Sequence, residues 1–302
     1  MTSRISLKAA AKINLYLEIT GNRPDGYHDL VMILQSIDLC DRVDIRKIGT
    51  DQIQVSCTNS EVPCDRTNLA YKAAALMQSV YPEIGGMEIA IDKQIPMGAG
   101  LAGGSANAAA VLVGIDRLWD LGLTQSQLCD FAAQLGSDIP FCVVGGTALA
   151  TGRGDILSPL PDIKDLVLVI CKPRKIAIST PWAYQTFRSH GLLANNPARH
   201  QNLSSQMVAA IAAGDASTPA KIGRLLYNDL ERAVLPEYPE LVALENKLLE
   251  QECLGAMMSG SGSTMFAIAA DLDSAKRIAE AVKTNEIDVW VVKSLVRSIF
   301  DA

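Results

Sequence analysis

Strict alternation opens the chain. Ile5, Leu7, Ala9, Ala11, Ile13, Leu15, Leu17 and Ile19 fall on one side of it, and Lys8, Ala10, Lys12, Asn14, Tyr16 and Glu18 on the other. This is the pattern of a strand with one buried face. Lys12 and Asn14 therefore project the same way, roughly 7 Å apart along the strand, and the strand taken alone predicts a solvated lysine. Gly21-Asn-Arg-Pro-Asp-Gly26 reads as a turn, after which Tyr27-His28 opens an extended run to Leu39. A Tyr-His pair beside a turn is compatible with plain packing. Further strands are predicted at Arg42–Lys47, Ile53–Cys57 and Met87–Ile91, and helical spacing appears at Asn68–Val80 through Leu69, Ala73, Leu76 and Met77.

A second helical face runs through Ala108, Val111, Leu112, Ile115 and Leu118, with Gly122 closing the helix after Trp119, and a third helix is predicted over Thr124–Leu135. Gly136-Ser137-Asp138-Ile139-Pro140 reads as another helix start, with Ser137 or Asp138 as its cap. After Gly145-Gly146, Thr147–Thr151 and Ile156–Leu160 form a hairpin about Gly152-Arg-Gly154. The proline-bearing Ser158–Lys164 segment marks a boundary, giving domains 1–160 and 161–302. Beyond it come a strand (Leu166–Cys171), a helix (Trp182–Arg188), a polar loop (His190–Ser204) and helices at Ser205–Ala213, Pro219–Asp229 and Leu241–Gln251. Strands at Cys253–Met258 and Thr264–Ala270, a helix at Ser274–Lys283 and a strand at Asp288–Leu295 complete the order of a split βαβ, ferredoxin-like domain. The class is α+β.

The loop ahead of the second helix carries the chemistry. Gly98, Gly100, Gly103 and Gly104 fall within seven residues and run straight into good helix formers. Glycine tolerates positive φ and lets backbone approach a ligand, and the first N–H groups of a helix are unpaired at the positive end of its dipole. Together these predict a phosphate site. Gly98-x-Gly100-x-x-Gly103 also matches a dinucleotide fingerprint, but Asp116 and Asp120 belong to the same helix and no strand follows where that fold needs one. No Gly-Lys-Ser/Thr makes it a Walker loop. Ser259-Gly-Ser-Gly-Ser263 cannot be fitted to a nucleophile elbow. It reads either as a flexible hairpin loop or as backbone amides open to an anion.

Composition narrows the partner. A 302-residue chain, half hydrophobic, holds sizeable cores, and its net charge of −6 offers no basic footprint for nucleic acid. A small diffusible ligand is expected. Seven scattered cysteines without a Cys-x-x-Cys pair argue for reduced thiols and against zinc, and His28, His190 and His200 are unclustered. No apolar run approaches a membrane span and no secretory signal opens the chain, so a cytoplasmic protein is expected. The sequence carries no signature of oligomeric state.

Three motifs now stand in order: Ala-Lys12-Ile-Asn14-Leu, Pro-Met-Gly-Ala-Gly-Leu-Ala-Gly-Gly-Ser-Ala-Asn, and Ser-Gly-Ser-Gly-Ser. The set resembles the superfamily of galactose, homoserine, mevalonate and phosphomevalonate kinases. Gly-Asn-Arg-Pro-Asp-Gly-Tyr27-His28, Asn68-Leu and Leu-Gly-Ser-Asp138-Ile-Pro-Phe narrow the resemblance to the 4-diphosphocytidyl-2-C-methyl-D-erythritol kinases of non-mevalonate isoprenoid synthesis, over essentially the whole chain. The resemblance implies an N-terminal ATP-binding domain (ribosomal-protein-S5-domain-2-like) and a C-terminal ferredoxin-like domain with extra helices. It implies transfer of the ATP γ-phosphoryl group to the C2 hydroxyl of the cytidyl alcohol. Asp138 is then the base, Lys12 the cation beside it and Asn14 a substrate contact. ATP would be held by Asn68, Lys93 and the loop Pro96, Met97, Gly98, Ala99, Gly100, Leu101, Ala102, Gly103, Gly104, Ser105 and Ala106, with Ser105 near Mg2+. Tyr27 and Tyr184 would sandwich cytosine while His28 reads its polar edge. Ala99 and Ala102 depart from the family pattern where relatives carry glycine, and Ala106 where they carry serine. The rival readings are another small-alcohol kinase of the superfamily, which leaves Tyr27, His28 and Tyr184 unexplained, and a non-catalytic ATP sensor, which has no need of Lys12 or Asp138.

Overall fold

The computed structural model describes residues 3–195 and 202–296. In chain order the strands are β1 (Arg4–Asn22), β2 (His28–Lys47), β3 (Ile53–Cys57), β4 (Met87–Asp92), β5 (Thr147–Thr151), β6 (Ile156–Pro159), β7 (Val167–Pro173), β8 (Tyr227–Asn228), β9 (Gly255–Met258), β10 (Met265–Ala269) and β11 (Ile287–Lys293). The helices are α1 (Leu69–Val80), α2 (Gly103–Trp119), α3 (Gln125–Leu135), α4 (Ile139–Val144), α5 (Thr180–Ser189), α6 (Leu203–Ala213), α7 (Thr218–Leu225), α8 (Glu231–Val234), α9 (Pro239–Leu249) and α10 (Leu272–Val282).

Two sheets result. The first runs β3-β4-β2-β1-β8, with β5 also on β2 and β6 on β5. The second runs β11-β7-β10-β9, all antiparallel, the fourth-first-third-second arrangement of the split βαβ order. One buried cluster packs α1 to α4 on the first sheet through Val43, Ile45, Ala109, Val113 and Leu128. The other two clusters draw from both sheets: Leu17 and Phe141 meet Phe187 and Met265, and Ile13 and Ile33 meet Ile170 and Phe266. α2 is buried nearly all round, which suits its run of alanines. α3 starts on a Thr124–Gln127 capping box.

Several expectations are corrected. β2 is one strand of twenty residues, not two, since Cys40 and Asp41 stay paired to Ala10 and Ala9 of β1 and β4 takes over the other edge at Arg42. The helix expected to reach Asp229 stops at Leu225, and Tyr227–Asn228 adds parallel to β1 at Tyr16–Leu17. α2 ends with Asp120, not Gly122, at positive φ (+56°) as its C-cap. Within the polar 190–204 stretch, Leu192–Asn195 forms a short 3-10 turn; residues 196–201, with His200, lie outside the described residues.

Candidate active site

The glycine loop hangs from a buried carboxylate. Asp41 in β2 is fully shielded and accepts from Gln94 N (2.7 Å), Ile95 N (2.8 Å), Asn107 Nδ2 (2.8 Å) and Lys93 Nζ (2.7 Å). One side chain thus fixes the exit of β4 and the second turn of α2, the two ends of the loop. Lys93 also donates to Ile95 O (2.6 Å), so its ammonium is already engaged. Gly98, Gly100 and Ala102 take positive φ (+55°, +71° and +56°). Ala102 is the N-cap of α2 and carries a strain of about 1–2 kcal/mol that glycine would avoid. Ala99 has no such φ; it is buried, and its carbonyl accepts from Thr264 N (3.4 Å).

The Ser259–Ser263 turn is not a flexible surface loop. Ser259, Ser261 and Ser263 are buried, and the turn lies against the glycine loop. Ser259 Oγ donates to Gly100 O (3.1 Å). A Cβ on Gly100 would meet Ser259 O at 2.1 Å, so only glycine permits this approach. Asn228 holds the turn from behind, donating to Met258 O (2.9 Å) and Gly260 O (2.8 Å).

Lys12 is buried, not solvated. β1 is irregular between Ala10 and Lys12 and again between Asn14 and Tyr16, and such bulges re-aim side chains. Lys12 N donates to Leu101 O (3.1 Å), which joins β1 to the loop. Its Nζ donates to Asn14 Oδ1 (2.6 Å) and lies 3.9 Å from Asp138 Oδ2. Asp138 occupies the N-cap position of α4 but makes no side-chain capping bond; its carboxylate, 39% exposed, opens to the cleft. The capping reading of Asp138 is therefore replaced by pairing with Lys12.

The far end is aromatic. His28 stacks on Tyr184 (centroids 5.1 Å, 30°) and meets the edge of Phe187 (6.5 Å, 85°). Burial, helped by the Arg188 charge, pushes its pKa below the ordinary 6.5, which favours a neutral imidazole. Tyr27 stands at the rim, 54% exposed, with the Arg153 guanidinium 5.1 Å from its ring centroid and Arg188 Nη2 donating to its carbonyl (2.8 Å).

A cleft of about 1090 Å³ connects these ends. It is lined by Lys12, Asn14, Tyr27, His28, Asn68, Lys93, Asp138, Tyr184 and Pro96 through Ser105, but not by Ala106. Ala106 is buried in the α1–α2 core and its N–H donates to Ala102 O (2.9 Å), so it is not free for a ligand. Asn68 lines the wall while capping α1: its Oδ1 accepts from Ala70 N (2.8 Å) and its Nδ2 donates to Pro63 O (2.6 Å). Among the described residues no group of three or more His, Cys, Asp or Glu is placed to hold a metal, and no helix is long and apolar enough to cross a membrane.

Sequence reasoning missed Asp41, Asn107, Asn228, Arg153 and Arg188. Asp41 resembled a turn residue between strands, and the others act through contacts that leave no local pattern.

The family profile "GHMP kinases N terminal domain" matches residues 68–146, and "GHMP kinases C terminal" matches 207–288. A Nostoc punctiforme protein named 4-diphosphocytidyl-2-C-methyl-D-erythritol kinase is 50% identical over 97% of both chains. One of the same name from Gloeobacter violaceus is 51% identical, over 96% of this chain and 94% of its own. The crystal structure of a 4-(cytidine 5'-diphospho)-2C-methyl-D-erythritol kinase, 29% identical, superposes with a TM-score of 0.77 over 96% of this chain and 99% of its own. A homoserine kinase from Cytophaga hutchinsonii, 21% identical, shares the fold at a TM-score of 0.76 over 98% and 96% of the two chains.

Proposed function

The chain belongs to the GHMP kinases and within them to the 4-diphosphocytidyl-2-C-methyl-D-erythritol kinases, and we propose that Lys12 and Asp138 transfer the ATP γ-phosphoryl group to the C2 hydroxyl of that substrate. The carrying observation is that one cleft holds the glycine loop, the Lys12–Asp138 pair and the His28–Tyr184 stack. On this reading residues 1–160 supply most of the nucleotide side and 161–302 the ferredoxin-like side.

The loop amides and the N-terminus of α2 cradle the phosphates. Lys12, held by Asn14, faces the charge that spreads over the transferring phosphoryl oxygens. Asp138 accepts the hydroxyl proton or fixes the hydroxyl in line; both roles need a carboxylate open to the cleft and close to Lys12. Ser105 and Asp138 are hard oxygen donors of the kind that would hold Mg2+ alongside nucleotide phosphates, whose charge the ion would neutralise. Tyr27 and Tyr184 offer ring faces to cytosine, and His28 Nε2, buried without a partner among the described residues, is available to its edge.

The test is ADP release with Mg-ATP and 4-diphosphocytidyl-2-C-methyl-D-erythritol, beside mevalonate and homoserine. Turnover with the cytidyl alcohol alone, lost by at least tenfold in Asp138→Asn, is expected. Turnover with another alcohol instead would discard the cytosine reading.

A further inference from the structure

A buried lysine stands behind the wall of the cleft, apart from the residues that line it. Lys172, near the end of β7, keeps only 4% of its surface exposed. Among the described residues no carboxylate forms an ion pair with it: Asp288, its register partner on β11, accepts from Arg174 Nε (2.8 Å). Burial pulls the Lys172 pKa below the ordinary 10.5. Its Nζ donates to two backbone carbonyls, Pro173 O (2.7 Å) and Ile176 O (2.6 Å). An ammonium buried on neutral acceptors is a poor device for stability, because no opposite charge offsets its desolvation.

The carbonyls it holds belong to a strap. After β7 the chain crosses to α5 through residues 174–179, of which Ala177 and Ile178 belong to no strand or helix. The strap lies against both the glycine loop and the serine-glycine turn. A Cβ on Gly98 would meet Ala177 Cβ at 3.4 Å, and one on Gly262 would meet Ile178 Cδ1 at 3.2 Å. Ser263 Oγ donates to the same Ile176 O that Lys172 holds. One carbonyl oxygen therefore joins β7, the strap and the turn. α5 has its own anchors, since Ala183 and Phe187 are fully buried and Arg188 donates to the Tyr27 carbonyl (2.8 Å).

We propose that Lys172 is a positioning residue for ATP: by holding Ile176 O it sets the strap that backs Gly98 and the serine-glycine turn. The proposal rests on the kinase reading above. What the lysine supplies is reach, because rotatable donors at the end of a four-carbon stem gather two carbonyls from successive parts of one tight bend.

The experiment compares wild type, Lys172→Met, Ser263→Ala and the double variant by steady-state kinetics with Mg-ATP and the cytidyl alcohol, and by thermal unfolding. Methionine keeps the length of the stem and removes the donors. Lys172→Met should melt within a few degrees of wild type, because the desolvation of the charge disappears together with its bonds. Its KM for ATP should rise roughly tenfold, the size of one hydrogen bond to a charged group, while KM for the cytidyl alcohol stays within about threefold. Lys172 and Ser263 share one acceptor, so their effects on KM for ATP should not multiply. An unchanged KM for ATP in Lys172→Met, equal rises in both KM values, or independent effects of the two substitutions would each overturn the proposal. A Lys172→Met protein that does not fold, or melts far below wild type, would make Lys172 a stabilising residue and overturn it as well. Each of these outcomes leaves wild-type turnover, and hence the kinase reading, intact. Failure of wild type to phosphorylate the cytidyl alcohol would instead overturn the reading and the proposal together.

Discussion

Replacing Gly100 by alanine would put a methyl group 2.1 Å from Ser259 O and 3.1 Å from Gly262 N and O, at a residue whose φ is +71°. Two costs add. An L-residue in the left-handed region loses about 1–2 kcal/mol, and driving the turn back by about 1 Å is an overpacking of roughly 1–3 kcal/mol. Gly98→Ala isolates the first cost: its φ is +55°, but the nearest atom to the new methyl is Ala177 Cβ at 3.4 Å, an ordinary contact. Calorimetric unfolding of the two variants should therefore show a larger drop for Gly100→Ala, by about the overpacking cost. ATP kinetics should separate them further. The residue after Gly100 accepts from Lys12 N through Leu101 O, so a displaced loop pulls on the strand that carries Lys12. KM for ATP and kcat should both worsen in Gly100→Ala. Equal melting temperatures and equal kinetics for the two variants would refute the claim that loop and turn are interlocked.

Asp41→Asn removes the charge opposite a buried ammonium and turns an amide donor toward at least one of four donors; a loss of about 3–5 kcal/mol is expected from urea unfolding, and a loss under 1 kcal/mol would show that Lys93 does not depend on Asp41. The depressed His28 pKa means that its contribution to stability is complete above pH 6.5 and is lost as pH falls below that value, where the unfolded chain protonates first. Affinity for the cytidyl substrate should likewise stay level from pH 8 down through 6.5 and decline only below it, a decline absent in His28→Gln. An inflection at or above 6.5 would contradict a neutral, buried His28.

Local pattern carried much of this molecule. Alternation through Ile5–Ile19 located β1 and put Lys12 beside Asn14, and the glycine run before an alanine-rich face located the loop and α2. It failed where burial is polar. Leu39-Cys40-Asp41-Arg42 reads as a break between strands because a charge is presumed to face water, yet Asp41 lies inside a continuous β2 with every oxygen engaged. Two residues cannot display a period, so Tyr227–Asn228 merged with the helix before it. The serine-glycine turn stayed open between a flexible loop and an anion site because the atoms that pin it, Asn228 and Gly100, lie about 30 and 160 residues away. Arg188 is invisible for the same reason, since its meaning depends on a carbonyl 161 residues earlier.

β8 gives the molecule an order of assembly. The edge of β1 that it covers at Tyr16–Leu17 is made about 210 residues before its partner. At synthesis rates of 5–20 residues per second, the strand bearing Lys12 waits roughly 10–40 s for that neighbour. During that interval an open strand edge is offered to any other chain. The wall that residues 259–263 set against the glycine loop emerges later still. A half-made chain can thus hold most of the first sheet and all of the glycine loop while the turn that backs that loop is still unmade.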